Sequence, residues 1–151
     1  MIFEEAIYLG NQTKILELLK ENETLENRLI AACFLGDLSM LQKVLQEGGT
    51  QINLNTQMKN GETAFFLACQ NGHLEIVQKL LENDILDFNR PNYLQESPIF
   101  KACQNKHWKV GELLLKTPGI NIRVRNKKQQ TLRKVLEKHN PSFIQLLDDT
   151  G

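Results

Sequence analysis

Few residues of this 151-residue chain could do chemistry: three cysteines, Cys33, Cys69 and Cys103, and three histidines, His73, His107 and His139. Thiolates bind metals or attack electrophiles, and imidazoles ligate metals or move protons, so these are the first places to look for a centre. Their spacing argues against one. The cysteines fall 36 and 34 residues apart, no CxxC pair occurs, and an odd count leaves one thiol over in any disulfide scheme. His73 and His107 are again 34 apart, with no HExxH, no neighbouring nucleophile and no carboxylate pair at a catalytic spacing. Neither a GxGxxG nor a GxxxxGKS/T phosphate loop is present. The expectation is a chain without catalytic residues, metal or cofactor, in which the thiols are reduced core groups and the histidines are structural.

The recurring interval points to what positions these residues. Residues 63–81 align without a gap on residues 97–115, an offset of 34 that also carries Ser97 to Thr131. A step of 36 back from Ala68-Cys69 reaches Ala32-Cys33, and 26 further back takes Ala32 to Ala6 and Gly36 to Gly10. Self-similarity at such a period is the mark of stacked repeats. Five units follow, at about residues 2–24, 25–57, 58–91, 92–125 and 126–151, forming one domain. Each reads as two short amphipathic helices. In the third, Thr63 is a suitable N-cap, Leu67 and Ala68 are buried positions, Gly72 ends the first helix, and Leu74, Val77, Leu80 and Leu81 form the apolar stripe of the second. Ser97-Pro98 opens the fourth with a capping serine and a proline where a missing N–H costs nothing, and Asn60-Gly61 marks a tight turn.

The run Gly61-Glu62-Thr63-Ala64-Phe65-Phe66-Leu67-Ala68-Cys69-Gln70-Asn71-Gly72-His73-Leu74-Glu75-Ile76-Val77-Gln78-Lys79-Leu80-Leu81, with its copy from Ser97 to Leu115, resembles the ankyrin repeat family. Asp87-Phe88-Asn89 and Ile120-Asn121-Ile122 look like the closing segments that lead into the next hairpin. The resemblance covers nearly the whole chain and is strongest in units two to four. It implies an all-α repeat solenoid, an ankyrin-type stack of about five helix pairs with short hairpin loops and with terminal units acting as caps. The family's Thr-Pro-Leu-His start stands here as Thr63-Ala64-Phe65-Phe66, Ser97-Pro98-Ile99-Phe100 and Thr131-Leu132-Arg133-Lys134. Without the fourth-place histidine, the bonds it makes to the hairpin are missing and looser hairpins are expected. Trp108 and Gly111 replace the leucine and valine of the preceding unit, which suggests an indole covering space that the glycine leaves.

Composition bounds the partner. Apolar residues are 41% and charged residues 24%, no apolar run approaches the length of a membrane span, and the N-terminus is acidic where a secretory signal would be basic. A cytoplasmic, reducing location is expected, with delivery into a host cell as the alternative. The formal net charge of zero hides a gradient. Residues 1–100 carry 7 basic and 14 acidic side chains, residues 101–139 carry 11 and 2, and residues 140–151 add 2 acidic, giving −7, +9 and −2. Arg123, Arg125, Lys127 and Lys128 concentrate the positive charge, continued by Arg133, Lys134 and Lys138. No aromatic side chain lies between Ile120 and Asn140 for base stacking, so nucleic acid is the least favoured partner and an acidic protein surface the most favoured.

The resemblance also implies where contacts lie. The residues before each helix-ending glycine face the concave side: Tyr8 and Leu9, Phe34 and Leu35, Gln70 and Asn71, Gln104 and Asn105. The first two pairs form an apolar patch if exposed, or part of the cap if folded inward. Met58, Lys59, Arg90, Tyr93 and Leu94 belong to hairpin tips, with Tyr93 as an anchor. The expected function is a monomeric, non-catalytic module or adaptor that binds a partner protein through the concave face and hairpin tips. The alternatives are a binder of nucleic acid or phosphoinositide through the basic segment, and a regulatory piece of a larger protein such as a bacterial effector.

Overall fold

A computed structural model of the chain describes residues 2–150. Helices account for nearly all its regular structure: α1 (Phe3–Tyr8), α2 (Gln12–Glu21), α3 (Leu25–Leu35), α4 (Leu38–Gly48), α5 (Ala64–Gln70), α6 (Leu74–Leu81), α7 (Pro98–Gln104), α8 (Trp108–Leu115), α9 (Leu132–His139) and α10 (Ile144–Thr150), the last entered through a 3-10 turn over Pro141–Phe143. Five helix pairs result. Their starts are set by side chains: Asn11, Thr24, Asp37, Thr63, Ser97 and Thr131 each accept a hydrogen bond from the backbone N–H three residues on. Between the helices of the first four pairs, Gly10, Gly36, Gly72 and Lys106 take a positive φ. That left-handed residue reverses the chain so that the second helix runs back along the first.

The pairs stack in register. The inner helices α1, α3, α5, α7 and α9 contact one another in series, while α4, α6, α8 and α10 follow behind them. Successive inner helices bury Ala6, Ala32, Ala68 and Ala102 at one slot, and Cys33, Cys69 and Cys103 beside it. Small side chains there let the helix pairs approach closely, and Phe65, Phe66, Phe100, Leu41, Leu80 and Leu114 fill the space around them. All three thiols are free and buried. Burial pushes each toward the neutral form, that of Cys103 up to about 12, with the neighbouring thiols adding to the effect at Cys69.

The hairpins are more firmly tied than the missing histidines suggest. In each, the first residue's N–H bonds the carbonyl four residues on: Met58 to Glu62 at 2.9 Å, Asn92 to Glu96 at 3.0 Å and Asn126 to Gln130 at 3.2 Å. Side chains then take over the role expected of histidine. Asn92 Oδ1 accepts from the Leu94 and Glu96 N–H groups while its amide donates to Glu96 Oε1 at 3.1 Å. Asn126 repeats this with Lys128 and Gln130, its amide reaching Gln130 Oε1 at 2.7 Å. Neighbouring hairpins are also joined, Tyr93 N to Asn60 O at 3.1 Å and Lys127 N to Leu94 O at 3.0 Å. Among the described residues no hairpin lies before that of Met58–Glu62. There the Glu4 carboxylate, from α1, accepts from Lys59 N at 3.1 Å and closes the open edge.

One further expectation changes. Trp108 does not fill a hole above Gly111; its ring meets Phe143 edge-on at 5.4 Å between centroids, binding α8 to the C-terminal turn. Glycine is needed at 111 because a Cβ there would stand 2.9 Å from the Cys103 sulfur. His73 and His107 precede α6 and α8 but make no side-chain cap bond to their own helices. Each imidazole lies instead on the helix-ending glycine of the preceding pair, so close that a Cβ on Gly36 or Gly72 would fall 2.6 or 2.3 Å from it.

Candidate partner-binding surface

The ends of the inner helices and the hairpin tips bound a groove of about 640 Å³. One wall is built by the last turn of α1 and its follower, Tyr8 and Leu9, together with Phe34 from α3. Tyr8 is 77% exposed and Leu9 60%. Phe34 and Leu35 are half-buried against the core, so the apolar patch is neither wholly free nor folded away into the cap. The opposite wall is the hairpin tip, Tyr93 and Leu94, exposed to 56% and 57%. Between them lie Gln70 and Asn71 of the inner face and three charged side chains, Glu62, Glu96 and Lys101.

Several expected contact residues spend their polar atoms inside the protein. The Asn71 amide donates to Phe34 O at 3.0 Å, and His73 Nε2 donates to the same carbonyl at 2.8 Å, which fixes the proton on that nitrogen. One repeat on, the Asn105 amide donates to Gln70 O at 3.0 Å. Gln104 accepts from Lys101 Nζ at 3.2 Å. Arg90 pairs with Asp87 at 3.0 Å and reaches Asn55 O, so its guanidinium braces the loop before the hairpin. Met58 corrects an expectation outright: it is 4% exposed and belongs to the core. The first hairpin position points inward in every copy, as the buried Asn92 and Asn126 at the same slot show, whereas Lys59, one residue on, is exposed.

The basic segment lies apart from the groove. Arg123, Arg125, Lys127 and Lys128 are all exposed, and Arg123 and Arg125 line a second cleft with Arg133, Thr131, Leu147 and Asp148. Arg133 is ion-paired with Asp148, whereas Arg123 and Arg125 form no ion pair within 4.0 Å among the described residues. Among the described residues, no group of three His, Cys, Asp or Glu side chains is placed to hold a metal ion.

Helix pairs joined by a left-handed residue, hairpins bonded side by side and a stacked inner face are now in place, and residues 29–126 match the family model of three ankyrin repeats. The chain belongs to the ankyrin repeat family. It is also similar to the putative ankyrin repeat protein YahD of Escherichia coli (strain K12), 29% identical over 80 residues. That stretch is 53% of this chain and 38% of the relative, so the chain spans well under half of the relative's length. Among the described residues no helix is long and apolar enough to cross a membrane.

Within the ankyrin frame, two sets of residues had gone unread in the sequence. Asn55 and Asn89, 34 apart, form a ladder behind the hairpins: Asn55 binds Asp87 N and Ile85 O at 2.7 and 2.8 Å, and Asn89 binds Asn121 N and Gly119 O at 2.8 and 2.9 Å. Glu62 and Glu96, again 34 apart, give the groove its acidic floor. Identical residues recurring at one slot were the available signal in both cases.

Proposed function

We propose that this chain is a non-catalytic docking module that grips a partner protein in the concave groove, with the hairpin tips as a second wall. Ankyrin repeats generally mediate protein–protein interaction and are typically not catalytic. The observation that carries the reading for this chain is the convergence of Tyr8, Leu9, Tyr93 and Leu94, four of its most exposed large apolar side chains, on one groove. Exposed apolar surface is costly in water unless something covers it, and a rigid stacked scaffold presents it with little further loss of entropy on binding. The basic hairpin and its flank would then raise the association rate with an acidic surface. Affinity capture with the wild type and with a Phe34→Asp/Tyr93→Ala variant tests this. Specific partners should be lost from the variant, and equal recovery of the same partners by both would refute the groove.

The second cleft favours one other reading. Arg123 and Arg125 beside the Arg133–Asp148 pair offer guanidinium groups to an anionic ligand. In that case binding to phosphoinositide vesicles or to a nucleic acid duplex should fall steeply with salt and disappear on charge reversal at Arg125 and Lys128. Salt-insensitive binding, or none, removes it.

A further inference from the structure

The charges on the groove floor are not equivalent. Glu96 is satisfied within the fold: Oε1 accepts from the Asn92 amide at 3.1 Å and Oε2 lies 3.4 Å from Lys101 Nζ. Lys101 in turn donates to Gln104. Glu62 occupies the corresponding position one hairpin earlier, half-buried, and among the described residues it forms no ion pair within 4.0 Å. The slot itself does not demand a carboxylate. Gln130 fills it in the last hairpin and holds Asn126 with a neutral amide. A negative charge at 62 is thus dispensable for building a hairpin and costly to keep, since burial pushes this carboxyl up from its ordinary range, against the opposing amides of Asn60 and Asn92 and the charge of Lys101.

What surrounds Glu62 suits one kind of side chain. Glu62 shares the groove with Phe34, Tyr93 and Leu94, apolar surfaces on which a long aliphatic stem packs favourably and a short polar group does not. Tyr93 adds an aromatic face, which attracts cations, and guanidinium above all. The groove's own charge has the same sense, Glu62 and Glu96 outnumbering Lys101, which is engaged by Glu96 and Gln104. The wall formed by Tyr8, Leu9 and Phe34 is apolar.

We propose that the groove takes an extended segment of the partner protein in which a lysine or arginine reaches Glu62 and an adjacent apolar residue rests on Tyr8 and Leu9. This rests on the docking function proposed above and names the chemistry of what docks. It also gives the charge gradient a use: a partner that is cationic where it enters the groove and acidic beyond it would lie along the solenoid in one direction only.

A displayed library of random short peptides, selected on the wild-type chain and on Glu62→Gln, tests the assignment. The wild type should enrich peptides with a basic residue next to an aliphatic or aromatic one, and Glu62→Gln should keep the apolar preference while losing the basic one. For the best peptide, replacing its basic residue with norleucine should weaken binding to the wild type about tenfold and leave binding to Glu62→Gln unchanged. Gln130 shows that a hairpin of this stack accepts the amide at this slot, and a cooperative thermal transition with native helical content confirms that Glu62→Gln keeps the fold. Enrichment without a basic preference, or the same preference in both proteins, overturns the cation site while leaving the docking module standing. If no peptide is enriched, the extended-segment inference is overturned, and loss of captured proteins from Phe34→Asp/Tyr93→Ala then decides separately whether the groove binds folded partners.

Discussion

Lys106 should be more stable as glycine. It closes α7 with φ +65°, the left-handed conformation that Gly10, Gly36 and Gly72 take at the same slot with φ of +67°, +76° and +73°. For a residue with a β-carbon that conformation costs about 1–2 kcal/mol. Glycine removes the strain but gives the unfolded chain extra freedom worth about 0.5–1 kcal/mol. Lys106 makes no side-chain hydrogen bond or ion pair among the described residues, so nothing else is lost, and Lys106→Gly should gain about 0.5–1 kcal/mol, a rise of about 2 °C in Tm. The control is Gly72→Ala. Its new Cβ would add left-handed strain and fall 2.3 Å from His107 Nδ1, so it should lose about 2 kcal/mol or more. The unit after Lys106 carries Pro141 where the preceding unit has His107, which is why a side chain is tolerated at 106 and not at 72. Urea and thermal denaturation followed by far-UV circular dichroism and by Trp108 fluorescence give both values, and coincident transitions show that one free energy describes them. A Lys106→Gly protein no more stable than the wild type would refute the strain argument, and a neutral Gly72→Ala would refute the packing of imidazole on glycine.

Three other outcomes follow from the packing. Cys33, Cys69 and Cys103 should resist a thiol reagent in the native protein and react with full stoichiometry in denaturant; rapid labelling of all three in the folded chain contradicts their burial and raised pKa. Trp108→Ala, which removes a half-buried indole and its edge contact with Phe143, should cost about 2 kcal/mol in urea melts while leaving partner capture intact. Glu62 binds its proton more tightly folded than unfolded, so its contribution to stability is full below the ordinary carboxylate pKa and fades as pH rises through the folded value. The Arg28–Glu47 pair works the other way: the Arg28 hydrogen bond holds the Glu47 carboxyl low, and the contribution is lost as pH falls. Comparing Tm against pH for wild type and Glu62→Gln isolates the first effect, with the variant gaining relative to wild type as pH rises from about 4 to about 7. A constant difference across that range would show that Glu62 titrates alike in the folded and unfolded chain and would refute the raised pKa.

How much the sequence could reveal depended on whether an interaction repeats with a recognisable partner. Burial does: the Ala-Cys slot, the capping Thr63, Ser97 and Thr131 and the glycine that ends each of the first three inner helices recur at related intervals, so the helix pairs are legible from spacing alone. Two of the cross-repeat staples, Asn71 and Asn105, recur just as faithfully, yet their acceptors are the carbonyls of Phe34 and Gln70, and a backbone carbonyl leaves no mark on residue type. Such residues therefore look free for a partner until the stack is built. Met58 was misplaced for a related reason, since the side-chain direction in an extended segment alternates and a one-residue change of phase moves a contact from tip to core.

The same comparison across slots also separates scaffold from function. Where every copy does the same structural work, as Asn92 and Asn126 do in their hairpins, the residue is explained by the fold. Where the copies differ, the difference itself can be weighed. Glu96 has Lys101 beside it and Gln130 needs no counter-charge, whereas Glu62 keeps a half-buried charge that neither arrangement requires. The groove walls obey the same test: the slots filled by Tyr8 and Leu9 hold Gln104 and Asn105 at the other end of the stack, so the fold accepts amides there and apolar side chains are not its demand. An exposed tyrosine and leucine, and a carboxylate with no ion pair within 4.0 Å among the described residues, are each a cost that the ankyrin scaffold does not impose, and they occur together in one groove. A single occupant, apolar on one side and cationic on the other, would relieve both.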